Sequence, residues 1–402
     1  MSRKLSVAMI GCGAFCRNFV PLFKAHPTVE SVYVCDVLQE RAAKYSQDFG
    51  VEVIPTFEEA LRRPDVNAVA LFTQRHLHGP MAVQALAAGK HVYSAVPMAS
   101  EVEHCQEIVE MVRRTGLTYM MGETCYYYPS SVWCRHHYAQ GDFGHFIYGE
   151  GQYHHDISHF SEEFRNARLT AGIPPFFYPT HSTAMVLAAC DSYALKVTAF
   201  GYEDQEPDRI FAKGVNMWDN VFSNSFSLMK LANGGTARIN ECRRIGYKAP
   251  SSYVSAFYGT EGAYQFSNAQ HSFTRKTPKG VDFRDVSDEV NPRDLTAHRG
   301  DTDFKAQVAN HAWQWNSYAP VLQDEYDRLP DTYKAPGFPN GHMASHQLLI
   351  DDFCRAASTG ALPPVHAWRA ARWTIPGLVA HQSVLRDGEC LAVPDCGDAP
   401  QA

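Results

Sequence analysis

The 402-residue chain contains no uninterrupted apolar run of about 18 residues, no Cys-x-x-Cys pair and no large excess of either charge. The first absence leaves no candidate for a membrane-spanning helix. The opening segment, MSRKLSVAMIGCGAF, pairs two basic residues with a short apolar run in the manner of an export signal. Gly11 and Gly13 cut that run and continue it as a folding motif, so a cytoplasmic protein is expected. Eleven cysteines, an odd number scattered from Cys12 to Cys396, speak against a disulfide framework and a cysteine-rich zinc site. Most are expected as small buried hydrophobes. With 36 basic against 43 acidic residues, net −7, the chain has no general field for nucleic acid or anionic lipid. Glycine and proline, 27 and 23, stand at ordinary levels and exclude wholesale disorder or a fibrous repeat. What is present is 45 % hydrophobic residues over a length of two to three ordinary domains, at about 150 residues each.

The first 125 residues alternate strand and helix. Leu5 to Ile10, Val29 to Asp36, Val51 to Ile54, Asn67 to Thr73, His91 to Ser94 and Leu117 to Met121 read as strands. Between them fall an apolar segment through Leu22, a capped start at Thr56 to Leu61, and helices at Pro80 to Ala88 and Ser100 to Arg114. This pattern predicts a parallel sheet covered by helices, with ligands outside the carboxyl ends of the strands. In the first turn, GCGAFC, Gly11 permits the tight bend and Gly13 lets a pyrophosphate approach the backbone amides. Cys16 stands where a third glycine or alanine is usual. A glycine-rich turn without a ligand has the same letters. Asp36, at the end of the second strand, shifts the balance, because its carboxylate can accept both ribose hydroxyls and repel a 2′-phosphate. A capping or surface aspartate is the alternative. The combination predicts NAD rather than NADP.

From about Gly144 the period changes. HFIYGEGQYHH, YALKVTAFGY, NSFSLMKLANGGTARI and SSYVSAFYGTEGAYQF alternate β-branched and aromatic residues with polar ones, predicting an antiparallel sheet over roughly 145 to 270. Asn233-Gly234-Gly235 and Gly259 to Gly262 mark reversals. Lys276 to Gly341 is a long excursion of little regular pattern, with a short helix expected near Asp303 to Tyr318. Met343 to Ala357 and Ala367 to Leu385 read as helices, the second kinked or divided at Pro376. The expected fold is therefore α/β: a Rossmann domain over 1–124, and an α+β domain over 125–402 with a large, open, mainly antiparallel sheet. That second domain includes the excursion 276–341 and the helices of 343–385. Its aromatic and β-branched side chains need a cover, so a homodimer or homotetramer is expected.

GCGAFC, QRHLHGP at Gln74 to Pro80 and GKHVYSAVP at Gly89 to Pro97 together resemble the Gfo/Idh/MocA family of two-domain NAD(P)-dependent sugar and polyol oxidoreductases. The resemblance runs from Val7 to about Pro394. Its members usually carry Glu-Lys-Pro where this chain has Ala95, Val96 and Pro97, and the lysine that contacts cofactor and substrate is missing. Tyr178-Pro179-Thr180-His181, Gly144 to Asp156, Gly341-His342-Met343 and Leu391 to Asp395 resemble the branch that hydrolyses glycosides, glycoside hydrolase family 109. In that branch the positions of Ala95 and Thr124 often hold Glu and Asn. The resemblance implies active-site roles for Tyr178 and His181, and a sugar cleft lined by Tyr153, His155, Asp156 and His342. The expected cofactor set is Gly11, Gly13, Ala14, Phe15, Cys16, Asp36, Thr73, Arg75, His78, Ala95, Val96, Pro97, Glu123 and Thr124.

Such an enzyme oxidises C3 of a glycoside, eliminates between C1 and C2, adds water and returns the hydride; the alternative is an NAD-dependent sugar or polyol dehydrogenase. A positioned histidine is the usual proton acceptor, so His181 suits the first proton transfer, against the alternative of a hydrogen-bonded core or capping histidine. Tyr178 can donate to a substrate oxygen or, once acidified, remove a proton; otherwise it is a structural tyrosine. His154, His155, Asp156 and His159 follow a strand and lack an HExxH pattern, so no metal site is expected. Valine at 96 can neither donate a hydrogen bond nor favour an oxyanion, which points away from the ordinary dehydrogenase mechanism.

Overall fold

The computed structural model describes residues 4–246, 252–267, 270–291, 319–334 and 341–400. The chain divides into two compact units: Met1–Thr124 with Asp324–Ala371 and Cys396–Ala402, and Cys125–Gln323 with Arg372–Asp395. A single cut at 124/125 therefore does not describe the later chain. Helix Gly341–Thr359, expected with the second domain, belongs to the first unit. The reason lies in its packing: Phe353 sets its ring against Tyr93 and Phe23, at 5.6 and 6.2 Å between centroids. Asp351 accepts from buried His26 Nε2 at 3.2 Å.

The first unit holds six parallel strands, β1 (Leu5–Ile10), β2 (Val29–Cys35), β3 (Glu52–Val53), β4 (Ala68–Leu71), β5 (His91–Ser94) and β6 (Tyr119–Met121). Their order is β3-β2-β1-β4-β5-β6, the doubly wound arrangement that the alternation predicts. β4 and β5 are buried along their whole length, which is why they read as continuous apolar runs rather than alternating ones. Thr56 caps helix Phe57–Arg62 by accepting from Glu59 N–H at 3.1 Å. After the glycine turn the chain does not enter an α-helix directly. A 3-10 turn, Cys16–Asn18, comes first, and helix Val20–Ala25 starts only beyond it.

The second unit holds nine strands: β7 (Phe146–His154), β8 (Ala194–Glu203), β9 (Phe222–Leu231), β10 (Thr236–Cys242), β11 (Ser252–Gly259), β12 (Gly262–Ser267), β13 (Gln270–Thr277), β14 (Gly280–Asp285) and β15 (Leu391–Ala392). The order is β14-β13-β12-β11-β7-β10-β9-β8-β15, antiparallel throughout except where β7 lies parallel to β10. Both expected reversals form hairpins, and Gly234 takes the φ of +89° that its turn requires. The start of the excursion corrects the expectation of irregular chain. β13 and β14 extend the sheet, and a helical turn, Ser287–Val290, follows. The short helix expected at Asp303 to Tyr318 lies outside the described residues. Helix Ala367–Leu385 runs through Pro376 without a break.

Helix Thr180–Cys190 lies buried along its entire length against β7. Glycines set how close it comes. A Cβ on Gly151 would lie 2.1 Å from the carbonyl oxygen of Ser182, and one on Gly149 2.8 Å from Val186. On the opposite side Gly377 of helix Ala367–Leu385 meets Pro179, where a Cβ would lie 2.3 Å from that ring. All eleven cysteines are free thiols and nine are buried, as small core hydrophobes. Among the described residues no helix is long and apolar enough to cross a membrane.

Two predictions follow from this packing. His381, on helix Ala367–Leu385, rests edge-on against Phe177 at 5.0 Å, and burial pushes its pKa down to about 4. The unfolded value is about 6.5, so stability is whole above that pH and lost as pH falls towards the folded value, by up to about 3 kcal/mol. Urea unfolding at pH 7 and pH 4.5 is expected to show a larger drop for the wild type than for His381→Gln; equal drops would remove His381 as a cause. The second concerns the sheet's outer face, where Phe200 pairs with Phe226 and Thr198 with Leu228 across β8 and β9. Phe200 is 58 % and Leu228 49 % exposed. Light scattering is expected to find a dimer or tetramer, and Leu228→Lys to shift it towards smaller species. A wild-type monomer at every concentration would contradict this.

Candidate active site

All of the expected cofactor residues lie in the first unit, at or near the carboxyl ends of β1, β2, β4, β5 and β6. Gly11 has φ +96° and donates its N–H to Cys35 O at 2.8 Å; a Cβ there would lie 2.7 Å from Phe72 O. A side chain is excluded on both counts. Gly13 differs, since a Cβ on it would meet nothing within 4 Å. The backbone there borders open space of the kind a pyrophosphate needs. Asp36 is buried at the end of β2 and accepts from Cys12 N–H at 2.7 Å and Leu38 N–H at 2.8 Å, which fixes its carboxylate beside the glycine turn. The residues fit the adenosine half of NAD.

Around this cradle Ala14 and Phe15 are exposed, whereas Cys16 is fully buried at the packing position usually given to a small residue. Ala95, Val96 and Pro97 are buried beyond β5, and Glu123 and Thr124 beyond β6. Thr73 and Arg75 are half-buried after β4. His78 plays a different part from a direct cofactor contact. Its Nδ1 faces Pro97 O at 2.9 Å and its Nε2 faces Thr73 O at 3.1 Å, so the ring sits between the loops after β4 and β5 and, when neutral, donates its one N–H to one of the two carbonyls. Burial pushes its pKa down to about 4 against the two carbonyls, which favour the charged form.

The second unit brings together Tyr178, His181 and Tyr153. Tyr178 ends the 3-10 turn Pro175–Phe177, and Pro179 starts the helix that carries His181 one turn later. His181 is buried, Tyr178 half-buried, and His181 Nε2 lies 3.2 Å from Tyr178 Oη. Tyr153, on β7, packs its ring 4.9 Å from His181 and 5.9 Å from Tyr178. It is itself buried and stacks on His155 at 5.2 Å, so it supports the pair more than it offers a free sugar platform. Asp156 also has a structural part. Its Oδ1 accepts from Ser158 N–H and its Oδ2 from Ile245 N–H, both at 2.9 Å, closing the turn after β7. It faces an open groove of about 550 Å³ that also contains Asp204, Asn224 and Arg244. His342 lies in the first turn of helix Gly341–Thr359, and its side chain lies outside the described residues.

Sequence reasoning missed three residues around the pair. Buried Arg243 places its guanidinium carbon 5.0 Å from the Tyr153 ring centroid and 5.7 Å from that of Tyr178. Its Nη2 donates to Glu241 Oε2 at 3.3 Å, and Glu241 Oε1 accepts from Ser182 Oγ. The alternation of a strand, which sends residues two apart to one side, was the available signal in Glu241-Cys242-Arg243. A tyrosine and a histidine in hydrogen-bond contact, with a buried cation beside the phenol ring, form an arrangement able to accept and pass on protons.

Residues 5–123 match the model of the GFO_IDH_MocA family, described as an oxidoreductase family with an NAD-binding Rossmann fold. The expected family resemblance and the expected cofactor, NAD, are borne out over this domain. The chain is 23 % identical to a glycosyl hydrolase family 109 protein of Streptomyces filamentosus, over 97 % of its own length and 76 % of that protein's. It is likewise 23 % identical to one of Saccharopolyspora erythraea, over 97 % and 82 %. Among solved structures, levoglucosan dehydrogenase in complex with NADH and levoglucosan is similar in fold, with TM-score 0.73 at 18 % identity over 98 % of this chain and 100 % of that one. An oxidoreductase domain protein from Kribbella flavida gives TM-score 0.72 at 16 % identity, over 98 % and 100 %.

The two glycines predict different failures. Gly13→Val is expected to fold as the wild type and to bind NAD at least about tenfold more weakly, by calorimetric titration, because only the ligand's approach is blocked. Gly11→Ala is expected to lose about 1–3 kcal/mol of stability in urea unfolding. Equal NAD affinity for wild type and Gly13→Val, or stronger binding of NADP than NAD by the wild type, would contradict the assignment.

Proposed function

We propose that the protein is an NAD-dependent glycoside hydrolase acting on a hexose derivative by transient oxidation at C3, elimination between C1 and C2, addition of water and return of the hydride. The observation that carries the reading is the contact between His181 Nε2 and Tyr178 Oη, on residues that resemble those of family 109. The likeness to family 109 proteins over nearly the whole chain supports it. So does Val96, which leaves that position without the lysine of ordinary dehydrogenases.

Bound NAD supplies a hydride acceptor at the start of the cycle and a donor at its end. His181 takes the proton of the C3 hydroxyl as that carbon is oxidised. The ketone acidifies the neighbouring C2–H, and Tyr178 as phenolate removes it while the C1 substituent leaves. The C1 oxygen departs with a proton returned by the protonated pair. Water then adds its hydroxyl to C1 and a proton to C2, and the proton left on the pair goes to the C3 oxygen as the hydride returns. Net, the glycosidic bond is hydrolysed and no NAD is consumed. Burial of His181 and Tyr153 keeps bulk water from the His181 side of the pair, which strengthens its polar contacts.

The test is a panel of chromogenic α- and β-glycosides of hexoses, N-acetylhexosamines and uronic acids. Release of the aglycone without accumulation of NADH, with deuterium from heavy water at C2 of the freed sugar, is expected. His181→Ala is expected to bind NAD normally and lose turnover by about 10²-fold or more. NADH formed in proportion to sugar, with the glycosidic bond intact, would instead identify a net dehydrogenase. Cleavage without C2 exchange would sink the elimination step.

A further inference from the structure

We infer that Arg243 is a positioning residue that lowers the cost of forming the Tyr178 phenolate, an inference that rests on the reading of Tyr178 as a proton acceptor. The guanidinium carbon stands 5.7 Å from the Tyr178 ring centroid. Its side chain is 4 % exposed and that of its partner Glu241 is 0 % exposed, so solvent does little to screen either charge. A cation over a phenol ring attracts the neutral quadrupole weakly and the delocalised negative charge of the phenolate far more.

The neighbours of Tyr178 act on it in different ways. From the helix, His181 reaches its oxygen at 3.2 Å. From β7, the Tyr153 ring lies 5.9 Å away and is itself 5.0 Å from Arg243. Beyond the end of β10, Arg243 is held by two contacts: Nη2 to Glu241 Oε2 at 3.3 Å and Nη1 to Cys242 O at 3.2 Å. Glu241 opposes the effect of the cation, and its second oxygen is engaged by Ser182 Oγ. The arrangement therefore makes a signed prediction. Removing the positive charge must make the phenol a weaker acid, and removing the negative charge beside it must make it a stronger one. A residue that only packed the rings in place would give no such opposition.

The experiment places 3-fluorotyrosine at position 178 of the full chain and follows its fluorine chemical shift with pH, without sugar, so that the result does not depend on turnover. Arg243→Met is expected to raise the ionisation midpoint by about one pH unit or more. Arg243→Lys, which keeps the charge, is expected to restore most of the difference, and Glu241→Gln to lower the midpoint. An unchanged midpoint in folded Arg243→Met, or shifts of the same sign in Arg243→Met and Glu241→Gln, would overturn the inference. If Arg243→Met does not fold, Glu241→Gln decides alone, and a midpoint unchanged or raised there overturns it. A midpoint that moves as expected while the pH profile of kcat stays fixed upholds Arg243 and removes Tyr178 from proton transfer.

Discussion

The second unit depends on one steric permission, the absence of a side chain at Gly151. With a Cβ 2.1 Å from Ser182 O, helix Thr180–Cys190 could not lie where it does on β7. That closeness sets the height of the helix's first turn over the sheet, and the first turn carries His181 and Ser182. Ser182 then reaches Glu241 on β10, the strand parallel to β7, and Glu241 orients Arg243. One missing methyl group is thus coupled to a charge network, because packed layers do not yield by an ångström without losing contacts on every side. Gly377 plays the matching part beneath Pro179, so the loop bearing Tyr178 is fixed from two directions.

The first unit was legible because its signals are local. Strands buried on both faces announce themselves as apolar runs of four to six residues, and the runs at Leu5–Ile10 and His91–Ser94 match the strands at both ends. Gly11, Gly13 and Asp36 were likewise visible, since a turn and the end of the next strand are close in sequence as well as in space. β14 was missed for the opposite reason. All six of its residues are exposed, so no burial pattern marks them, and register is carried by pairing with β13 alone. Pro376 was expected to kink a helix or divide it, and it does not divide it: Ala367–Leu385 is one helix.

Site residues separate along the same line. Tyr178 and His181 are one turn apart on a short segment, and motif resemblance singled out both, which the fold places in contact. Asp156 shares its segment with Tyr153 and was grouped with it, but the backbone leaves β7 at that point and the carboxylate is consumed in holding Ser158 and Ile245. Arg243 escaped notice because its partners lie 65 and 90 residues earlier, at Tyr178 and Tyr153, and only pairing across the sheet joins them. His78 was expected in the cofactor set, and its two ring nitrogens face backbone carbonyls, which a sequence cannot foretell.

The buried Arg243–Glu241 pair is difficult to account for as a source of stability. Taking two ions out of water costs several kcal/mol each, and the attraction offsets this only when geometry is excellent and the remaining donors are satisfied. Here the contact is a single hydrogen bond of 3.3 Å rather than a parallel two-bond fork. An apolar pair of equal volume could fill the same space at no greater free energy. What an apolar pair could not do is present a charge to the rings of Tyr153 and Tyr178 from a place that water does not screen. The physical case for this pair is therefore electrostatic and local: it sets which protonation state of its neighbours is favoured, while the glycines of β7 set where those neighbours stand.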